Sequence, residues 1–335
     1  NKFKKEMKIS TALLLGTVSA YQAFEESELA FVNWIAKHGK TYGTKEEYNF
    51  RLTNFKRVYK EVQRLNSMNL SSQHDVNWFS DRSEYEMNKL LGDFEVQTDY
   101  KAETIKVPAG YEPAGKDWKA LGKVTPAKDQ GQCGSCWAFS AAGMIESAEA
   151  IKRDTAPESY SEQQIVDCCG VRYGDLACNG GDKKTGVQCV GEGQQLEYEA
   201  EYPYQAAKGS CQTRPPKTPH TNVSASTPYT ENENNKEAIF FALDQCVVGI
   251  SIDASSLYFQ TYKSGVLDDP EKCTNNLNHA LVITGYAVYN DAGDFAFEIK
   301  NSWGQTWGVD GFFRLADNGC CGYYGRKTVN PVADS

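Results

Sequence analysis

The sequence has no excess of basic residues and no long apolar run after its first residues. Its 335 residues carry a formal net charge of −9 at pH 7. This charge argues against a nucleic-acid-binding protein, which needs a basic surface. No apolar run beyond the first residues is long enough to span a membrane. Glycine and proline are too sparse and aperiodic for a fibrous protein. The length predicts about two domains, or one large two-lobed unit.

Cysteine is missing from one part of the chain and abundant in another. Residues 21–111 contain none, whereas all eleven cysteines lie within residues 112–335. We therefore expect a disulfide-rich domain to follow a cysteine-free one. Eleven is an odd number, so at least one thiol is left without a partner in the same chain.

The first twenty residues have the composition of a secretory signal peptide. Four lysines precede the short apolar stretch ISTALLLGTVSA, which ends in small residues at Val18 and Ala20. Export places the chain in an oxidising compartment, where disulfides persist. We expect the secretory pathway, ending in a lysosome-like or vacuole-like compartment or outside the cell. Two sequons, at Asn69 and Asn222, are then candidate glycosylation sites.

Residues 21–111 are predicted to be mainly helical and to end in an exposed linker. Between Glu46 and Asn66 there is neither glycine nor proline, and apolar residues recur at helical spacing. Prolines and glycines then gather between residues 97 and 115, a composition typical of a segment open to proteolysis. We place the domain boundary between residues 100 and 115.

Residues 112–335 are predicted to mix helices and strands. The stretch CWAFSAAGMIESAEAIK predicts one helix, and SEQQIVDC, capped by Ser161, predicts a second. After residue 240 the pattern changes to strands such as ALVITGYAVY and FAFEIKNSW. A helical half followed by a strand-rich half indicates an α+β fold of two lobes with a cleft between them.

The run QGQCGSCWAFS at residues 130–140 carries the sharpest chemical signal. Cys133 and Cys136 have the spacing of a redox pair, although the flanking pattern is not a βαβ unit. Alternatively, Cys136 is the unpaired thiol and acts as a nucleophile. It begins a predicted helix, whose dipole and free N–H groups favour a thiolate.

A nucleophilic thiol needs a base, and the chain has only four histidines. His279 is the best candidate, because it lies at the mouth of the apolar strand ALVITGYAVY. Asn301 lies in KNSWG and has an amide that could orient the imidazole, with Trp303 covering that hydrogen bond from water.

These motifs resemble the papain/cathepsin L family of cysteine peptidases, with CGSCW upstream of His279 and Asn301. The likeness extends through the cysteine-free block. The family's two propeptide motifs are matched at Glu47, Arg51, Phe55, Val62, Asn66, Asn77, Phe79 and Asp81. Val58 and Asp75 depart from those motifs, which usually have asparagine and glycine there.

The resemblance implies a papain-like fold with a helical lobe, a β-barrel-like lobe and a helical propeptide. It implies a secreted zymogen in which residues 1–20 are a signal peptide, residues 21–111 an inhibitory propeptide and residues 112–335 an endopeptidase domain. Cys136 would be the nucleophile, His279 the general acid and base, and Asn301 the orienting group, and Gln130 would help to stabilise the oxyanion. The expected partners are polypeptide substrates and the chain's own propeptide, with no nucleic acid, no membrane span in the mature form, no cofactor and no metal. We expect a monomer.

The resemblance also assigns residues to the substrate cleft and to disulfides. The cleft residues are Gly180, Gly181, Asp182, Lys183, Ser251, Leu277, Asn278, Ala280, Trp303 and Arg326. The family's pattern pairs Cys133 with Cys178, Cys168 with Cys211, and Cys273 with Cys321. For the remaining four cysteines, lobe membership alone suggests Cys169–Cys189 and Cys246–Cys320.

Two questions stay open at this stage. Asp182 and Lys183 stand where the family usually has apolar residues lining the S2 pocket, which receives P2, the second substrate residue before the scissile bond. Either both point to solvent and a neighbour neutralises Arg326, or the pocket accepts acidic or polar P2 residues. The second question is activation, for which carboxylates including Glu47 and Asp81 would be acid triggers if ion-paired. A non-catalytic homologue and a secreted redox protein are the competing functions.

Overall fold

The leading segment, residues 25–111, begins with two helices packed on an aromatic core. We describe a computed structural model that covers residues 25–212, 221, 223–224, 229–232 and 235–333, so the predicted signal peptide and Asn222 lie outside the described residues. Helix α1 (Glu26–His38) ends at Gly39, whose φ of 60° suits glycine. Helix α2 (Lys45–Asn66) begins at Thr44, whose hydroxyl accepts the Glu47 N–H. Phe31, Trp34 and Phe55 form the core between them.

The rest of the leading segment runs along the cysteine-rich domain. It contains strand β1 (Ser72–His74), helix α3 (Glu84–Asn88) and strand β2 (Thr104–Ile105). Leu65, Phe79, Met87 and Leu90 are buried in the same core as the strands of that domain. The leading segment is therefore packed into the main body of the molecule.

The first half of the cysteine-rich domain is mainly helical, as predicted. Its elements are strand β3 (Lys116–Asp117), helices α4 (Cys136–Arg153), α5 (Glu162–Cys168), α6 (Gly170–Tyr173) and α7 (Lys183–Gly191), and a 3₁₀ turn at Ala177–Asn179. Helix α4 is almost entirely buried, because alanines, Trp137 and Ile145 cover its surface. We call this half the helical lobe.

The second half, the sheet lobe, carries most of the strands. Its elements are β4 (Tyr229–Asn232), α8 (Lys236–Gln245), β5 (Val248–Ile252), α9 (Leu257–Gln260), β6 (Tyr262–Gly265), β7 (His279–Val288), β8 (Phe295–Lys300), β9 (Phe312–Ala316) and β10 (Val329–Pro331). Two 3₁₀ segments cover Pro270–Lys272 and Cys320–Gly325. The predicted mixture of helix and sheet is confirmed.

The main sheet stays open, so the expected β-barrel-like lobe was wrong in that respect. The strand order is β2–β4–β10–β5–β7–β8–β9, with β3 also pairing with β7. Within the described ranges, β2 and β9 do not pair with each other. The outer edge of β9 is taken up instead by Leu267, which forms a bridge with Leu315 and accepts the Ala316 N–H. A separate ribbon pairs β1 with β6.

Four disulfides join eight of the cysteines. They are Cys133–Cys178, Cys168–Cys211, Cys169–Cys189 and Cys273–Cys321. Because Cys133 is bonded to Cys178, it does not form the redox pair with Cys136.

The fifth suggested pair, Cys246–Cys320, was wrong, and both thiols are free. Cys246 packs against the core around α4, whereas Cys320 is buried in the core of the sheet lobe. Lobe membership, the basis of that suggestion, does not distinguish these two cores. Among the described helices, none is long and apolar enough to cross a membrane.

Candidate active site

Three secondary-structure ends bring Cys136, His279 and Asn301 together. Cys136 is the first residue of α4, His279 is the first of β7, and Asn301 directly follows β8. Strands β7 and β8 are antiparallel, with Val282 opposite Lys300, so the start of β7 lies beside the end of β8. Helix α4 packs on β7, and the Ser140 hydroxyl donates to the Leu281 carbonyl at 2.9 Å.

The Asn301 side chain holds the His279 ring. His279 Nε2 lies 2.9 Å from Asn301 Oδ1, which also accepts the Ser302 backbone N–H at 2.8 Å. Because the amide oxygen can only accept, Nε2 carries the proton of the neutral ring. His279 Nδ1 is buried and has no hydrogen-bond partner among the described atoms. The Trp303 ring lies 5.0 Å from the imidazole, centroid to centroid, as predicted for a cover.

Cys136 is completely buried, and this burial favours the neutral thiol. Burial raises the pKa of Cys136 to about 12, and the nearby Asp93 charge adds to this, although the backbone N–H groups of Ala280, Gly92 and Trp137 favour the thiolate. Burial likewise lowers the pKa of His279 to about 4, against the hydrogen bond to Asn301. Burial, to which the leading segment contributes through Gly92, therefore disfavours the thiolate in this state. The thiolate expected for the catalytic reaction stays a prediction.

The side-chain amide of Gln130 is fully occupied by hydrogen bonds. Its Nε2 donates to the Cys133 carbonyl at 2.8 Å and to the Leu90 carbonyl of the leading segment at 2.9 Å. Its Oε1 accepts from the Ser302 hydroxyl at 2.6 Å. The donor that sequence analysis assigned to an oxyanion is thus directed at a carbonyl of the leading segment.

Residues 92–94 of the leading segment pass between the two lobes. Gly92 O accepts the Gly181 N–H at 2.8 Å, and the Phe94 N–H donates to Gly181 O at 3.1 Å. From the sheet lobe, Asn278 O accepts the Asp93 N–H at 2.9 Å. The cleft residues Gly181 and Asn278 therefore bind an extended peptide backbone through their own main chains.

Glycine is required where these backbones cross. A Cβ on Gly92 would overlap the backbone of Gly134, and one on Gly180 would lie 2.7 Å from Gly92 O and 2.8 Å from the Phe94 ring. Gly180 also has a φ of 112°, which favours glycine. Gly92 and Gly180 thus let the leading segment approach the floor of the cleft.

Asp93 enters a basic pocket formed by three of the predicted cleft residues. Arg326 donates to Asp93 Oδ2 at 2.8 Å, and Lys183 Nζ lies 3.8 Å from Asp93 Oδ1. Lys183 Nζ also donates to the Ser251 hydroxyl at 2.7 Å. Of the two alternatives left open by the sequence, solvent exposure of Lys183 was wrong, because this residue is only 2% exposed. A neighbour does neutralise Arg326, and that neighbour is Asp93.

Asp182 has a different position from Lys183. It is 3% exposed rather than in solvent, and it caps α7 by accepting the Lys184 N–H at 3.1 Å. Its Oδ2 accepts the Val96 N–H of the leading segment at 3.0 Å. The cap follows from the sequence, since aspartate is among the preferred residues before the first turn of a helix.

The remaining predicted cleft residues contribute mainly through the backbone. The Leu277 carbonyl lies 3.4 Å from Arg326 Nη2, and the Ala280 N–H faces the thiol. The Asn278 side chain is occupied elsewhere, by the Ala254 N–H and the Ser255 hydroxyl.

Sequence analysis did not identify Leu90, Gly92 and Asp93 as residues of the site. The available signal was the basic pair Lys183 and Arg326, which needs an acidic partner when buried. The leading segment contains fourteen acidic residues, and no spacing rule selects Asp93 among them.

The matched motifs of the leading segment stabilise its own structure and also hold it on the cysteine-rich domain. Arg51 forms an ion pair of 2.7 Å with Glu86, and Asn66 exchanges two hydrogen bonds with the His74 backbone. Asn77 Nδ2 donates to the Gln260 carbonyl across the interface at 2.8 Å, and the Phe79 ring lies edge-on to Trp303.

The expected acid triggers form the anticipated type of contact. Asp81 is 3.2 Å from Lys40 and accepts from the Tyr42 hydroxyl at 2.9 Å. Glu47 is 3.9 Å from Arg51. Both contacts lie inside the leading segment rather than at its interface with the cysteine-rich domain.

Comparison with known sequences matches both parts of the chain. Residues 112–330 match the papain family cysteine protease domain, and residues 31–87 match the cathepsin propeptide inhibitor domain (I29). Human (Homo sapiens) cathepsin L2 is 32% identical over 326 residues, which cover 94% of this chain and 96% of that protein. Cysteine proteinase 5 of Dictyostelium discoideum is 31% identical over 340 residues, covering 94% and 96%.

Solved structures of related precursors have the same fold. A recombinant stem bromelain precursor has a TM-score of 0.80 and 29% identity, covering 93% of this chain and 100% of that one. The digestive procathepsin L2 proteinase from the larval midgut of Tenebrio molitor also has a TM-score of 0.80 and 29% identity, covering 91% and 99%. The chain therefore belongs to the papain family of cysteine proteases, as a cathepsin L-like peptidase whose leading segment is its propeptide inhibitor domain.

Proposed function

We propose that this peptidase is an endopeptidase whose chemistry is carried by Cys136, His279, Asn301 and Gln130. The observation that carries the proposal is the fixed His279 ring, whose Nε2 is held by Asn301 and whose Nδ1 is left as a buried, unpartnered acceptor. Once the propeptide has left, Nδ1 is available to take the proton of the Cys136 thiol. The ion pair then forms in a wetted cleft, where burial no longer opposes it.

The proposed reaction proceeds by acyl transfer. The Cys136 thiolate attacks the scissile carbonyl, and the Gln130 side-chain amide and the Cys136 N–H stabilise the oxyanion. The His279 imidazolium protonates the leaving amine as the C–N bond breaks, leaving a thioester. Water, deprotonated by His279, attacks the thioester and releases the acid and the thiol.

The proposed maturation separates the propeptide within an exposed stretch. Pro108, Ala109 and Gly110 are all exposed and lie between β2 and β3. We place cleavage between residues 100 and 115, after export into the secretory pathway and upon acidification. N-terminal sequencing of the product tests the position, and processing rates at neutral and mildly acidic pH test the trigger.

The central experiment is active-site labelling of the full-length chain. The purified proenzyme is incubated at mildly acidic pH, treated with an epoxide thiol trap and mapped by mass spectrometry. We expect the label on Cys136, with loss of peptide hydrolysis. Cys246→Ala is the matched control and retains both labelling and activity. Peptide hydrolysis by Cys136→Ala would overturn the proposal. So would the absence of hydrolysis by activated enzyme whose Cys136 reacts with the thiol trap.

A further inference from the structure

The pocket that receives Asp93 has a positive charge which the rest of the peptidase does not balance. Lys183 comes from the start of α7 and Arg326 from the end of the 3₁₀ segment before β10, so both lobes contribute a cation. The ion pairs formed by these two side chains, within the described part of the chain, are with Asp93 alone. Asp93 belongs to the propeptide, so both cations lose this partner when the propeptide leaves.

The Lys183 side chain is buried and packed in the wall of the pocket. It is 3% exposed, and its stem passes Gly249 of β5, where an added Cβ would lie 3.3 Å from Lys183 Cδ. The same Cβ would lie 2.5 Å from Met144 Sδ. Gly249 therefore leaves space for the lysine stem between β5 and α4. The ammonium group ends on the Ser251 hydroxyl, in reach of the pocket.

The acidic groups around the pocket do not cancel its charge. Asp182 is the closest competitor, but its carboxylate accepts the Lys184 N–H and lies 3.7 Å from Lys184 Nζ. Asp175 accepts from the Thr185 hydroxyl and the Asp182 N–H. Asp182 also feels the Lys183 charge, which favours its carboxylate against burial, and it shares this role with Lys184, its ion-pair partner. One carboxylate placed between two lysines leaves Lys183 and Arg326 as the cations that pair with Asp93.

The position of the pocket relative to the thiol indicates which substrate residue enters it. The Gly92 N–H faces Cys136, and Asp93, the next residue along the chain, places its side chain in the pocket. The Gly181 and Asn278 main chains hold this stretch on either side. The residue in the pocket is therefore the neighbour of the residue that covers the nucleophile. This spacing agrees with the assignment of the pocket to P2.

We propose that the mature enzyme selects aspartate or glutamate at P2, and that Lys183 and Arg326 are the residues that determine this specificity. The inference deepens the proposed function and rests on it. An acidic P2 side chain takes the place of Asp93 and restores its ion pairs. An apolar side chain would leave the buried Lys183 ammonium without a counter-charge, which is unfavourable in a site of low polarity.

The test uses fluorogenic peptides that differ only at P2, with the enzyme activated from the full-length chain. The P2 residues are Asp, Asn and Leu in one series and Glu, Gln and Phe in a second. We expect kcat/KM for the acidic peptide to exceed that of its amide isostere by roughly tenfold or more, and to exceed that of the apolar peptide. Each assay is normalised to the fraction of Cys136 that reacts with the thiol trap.

Substitutions connect the preference to the two cations. Arg326→Gln and Lys183→Met should each lower the ratio of acidic to amide P2 hydrolysis by roughly tenfold, while cleavage of the apolar peptides persists. Lys327→Gln is the matched control, because Lys327 is the next residue, is exposed and pairs with Glu231 of β4 rather than with Asp93.

The outcomes separate this inference from the proposed function. Labelled native enzyme that prefers Leu or Phe at P2, or does not distinguish Asp from Asn, overturns the inference and leaves the endopeptidase assignment intact. Failure of Cys136 to label, with no hydrolysis of any peptide, overturns the proposed function itself. If either variant does not fold, the comparison of Asp with Asn in the native enzyme still decides the inference.

Discussion

The Gln130 amide donates a hydrogen bond of 2.9 Å to the backbone carbonyl of Leu90. A residue of the peptidase and one of its propeptide thus make the contact that the proposed mechanism requires between Gln130 and an oxyanion. The second N–H of this amide is taken by the Cys133 carbonyl. The amide therefore has no N–H left for a substrate carbonyl while Leu90 is bound. Under the proposed mechanism, inhibition therefore includes occupation of the oxyanion donor, besides burial of the thiol.

The first prediction concerns Gln130 after maturation. Gln130→Ala should lower kcat by about 10²–10³, the usual cost of removing one oxyanion donor. The measurement is kcat per thiol titrated with the epoxide trap, so that misfolded enzyme is not counted. Gln305→Ala, the same substitution at an exposed position, is the control. A fall of less than about fivefold would contradict the assigned role.

The second prediction concerns the charge of Asp93 in the zymogen. Asp93→Asn preserves the shape of the side chain but leaves Arg326 and Lys183 without a counter-ion, at a cost of about 2–4 kcal/mol. We expect Cys136 of the unprocessed chain to react faster with iodoacetamide at neutral pH. Asp99→Asn, an exposed aspartate of the same segment, should leave the rate unchanged. Equal rates for the native chain and Asp93→Asn would show that the Asp93 ion pairs do not hold the propeptide over Cys136.

The third prediction concerns pH and His74, which lies at the interface of the propeptide strand β1. Its Nδ1 faces the Thr261 hydroxyl of the peptidase at 3.2 Å and its Nε2 the Ser72 hydroxyl at 3.0 Å. Burial lowers the pKa of His74 to about 4, with Glu61 opposing this weakly. The pKa of His74 in the folded zymogen lies below the ordinary value of 6.5. The stabilisation that neutral His74 gives the packed propeptide is therefore complete above about pH 6.5 and is lost progressively down to about pH 4.

Acidification through this window should therefore weaken the hold of the propeptide by at most on the order of 3 kcal/mol. We expect His74→Gln to flatten the dependence of the processing rate on pH between 6.5 and 4. His38→Gln is the control, because the His38 ring packs on Trp34 and Trp78 inside the propeptide. An unchanged pH profile for His74→Gln would exclude this histidine as the trigger.

Glu86 responds in a lower window than His74. Burial alone would raise its pKa, but the ion pair with Arg51 and the hydrogen bonds from Ser83 hold the pKa at about 2. A lowered carboxylate pKa stabilises the fold above about pH 4.5 and loses its effect as the pH falls towards 2. Mild acidification therefore acts on His74 before it acts on the Arg51–Glu86 pair.

The fourth prediction concerns the cysteines. Peptide mapping of the unreduced, unfolded chain should find Cys136, Cys246 and Cys320 alkylated and the other eight in their four disulfides. Replacing both Cys169 and Cys189 by alanine should lower the free energy of unfolding by about 2–4 kcal/mol, measured with urea. Cys246→Ala is the control with an intact set of disulfides. A bond between Cys246 and Cys320 would contradict the structure.

The sequence predicted the helices and strands around the site, because their periodicity and caps are local signals. Helix α4 begins at Cys136, where the pattern indicated, and strand β7 begins at His279, one residue before the predicted strand. It did not predict that the sheet remains open, since that depends on Leu267, which is distant in sequence, taking the outer edge of β9. The propeptide residue that contacts Cys136, Gly92, was missed for a related reason, because its position beside the thiol is a tertiary effect.

The S2 pocket shows the same limit in a single pair of neighbours. Asp182 and Lys183 are adjacent, yet one caps α7 and the other reaches Ser251 inside the pocket. Sequence position could identify both as candidates, but the direction of each side chain follows from how α7 starts beside β5. The acidic partner, Asp93, is ninety residues earlier, and only the fold brings it to Arg326.

The two strands contributed by the propeptide give maturation a structural side effect. Strand β2 pairs in parallel with β4, and β1 pairs with β6. Release of the propeptide therefore leaves β4 and β6 each with an unpaired edge. Unpaired edges invite pairing between molecules. Here each is only four residues long and carries a charge, Glu231 on β4 and Lys263 on β6, which limits self-association as the enzyme accumulates.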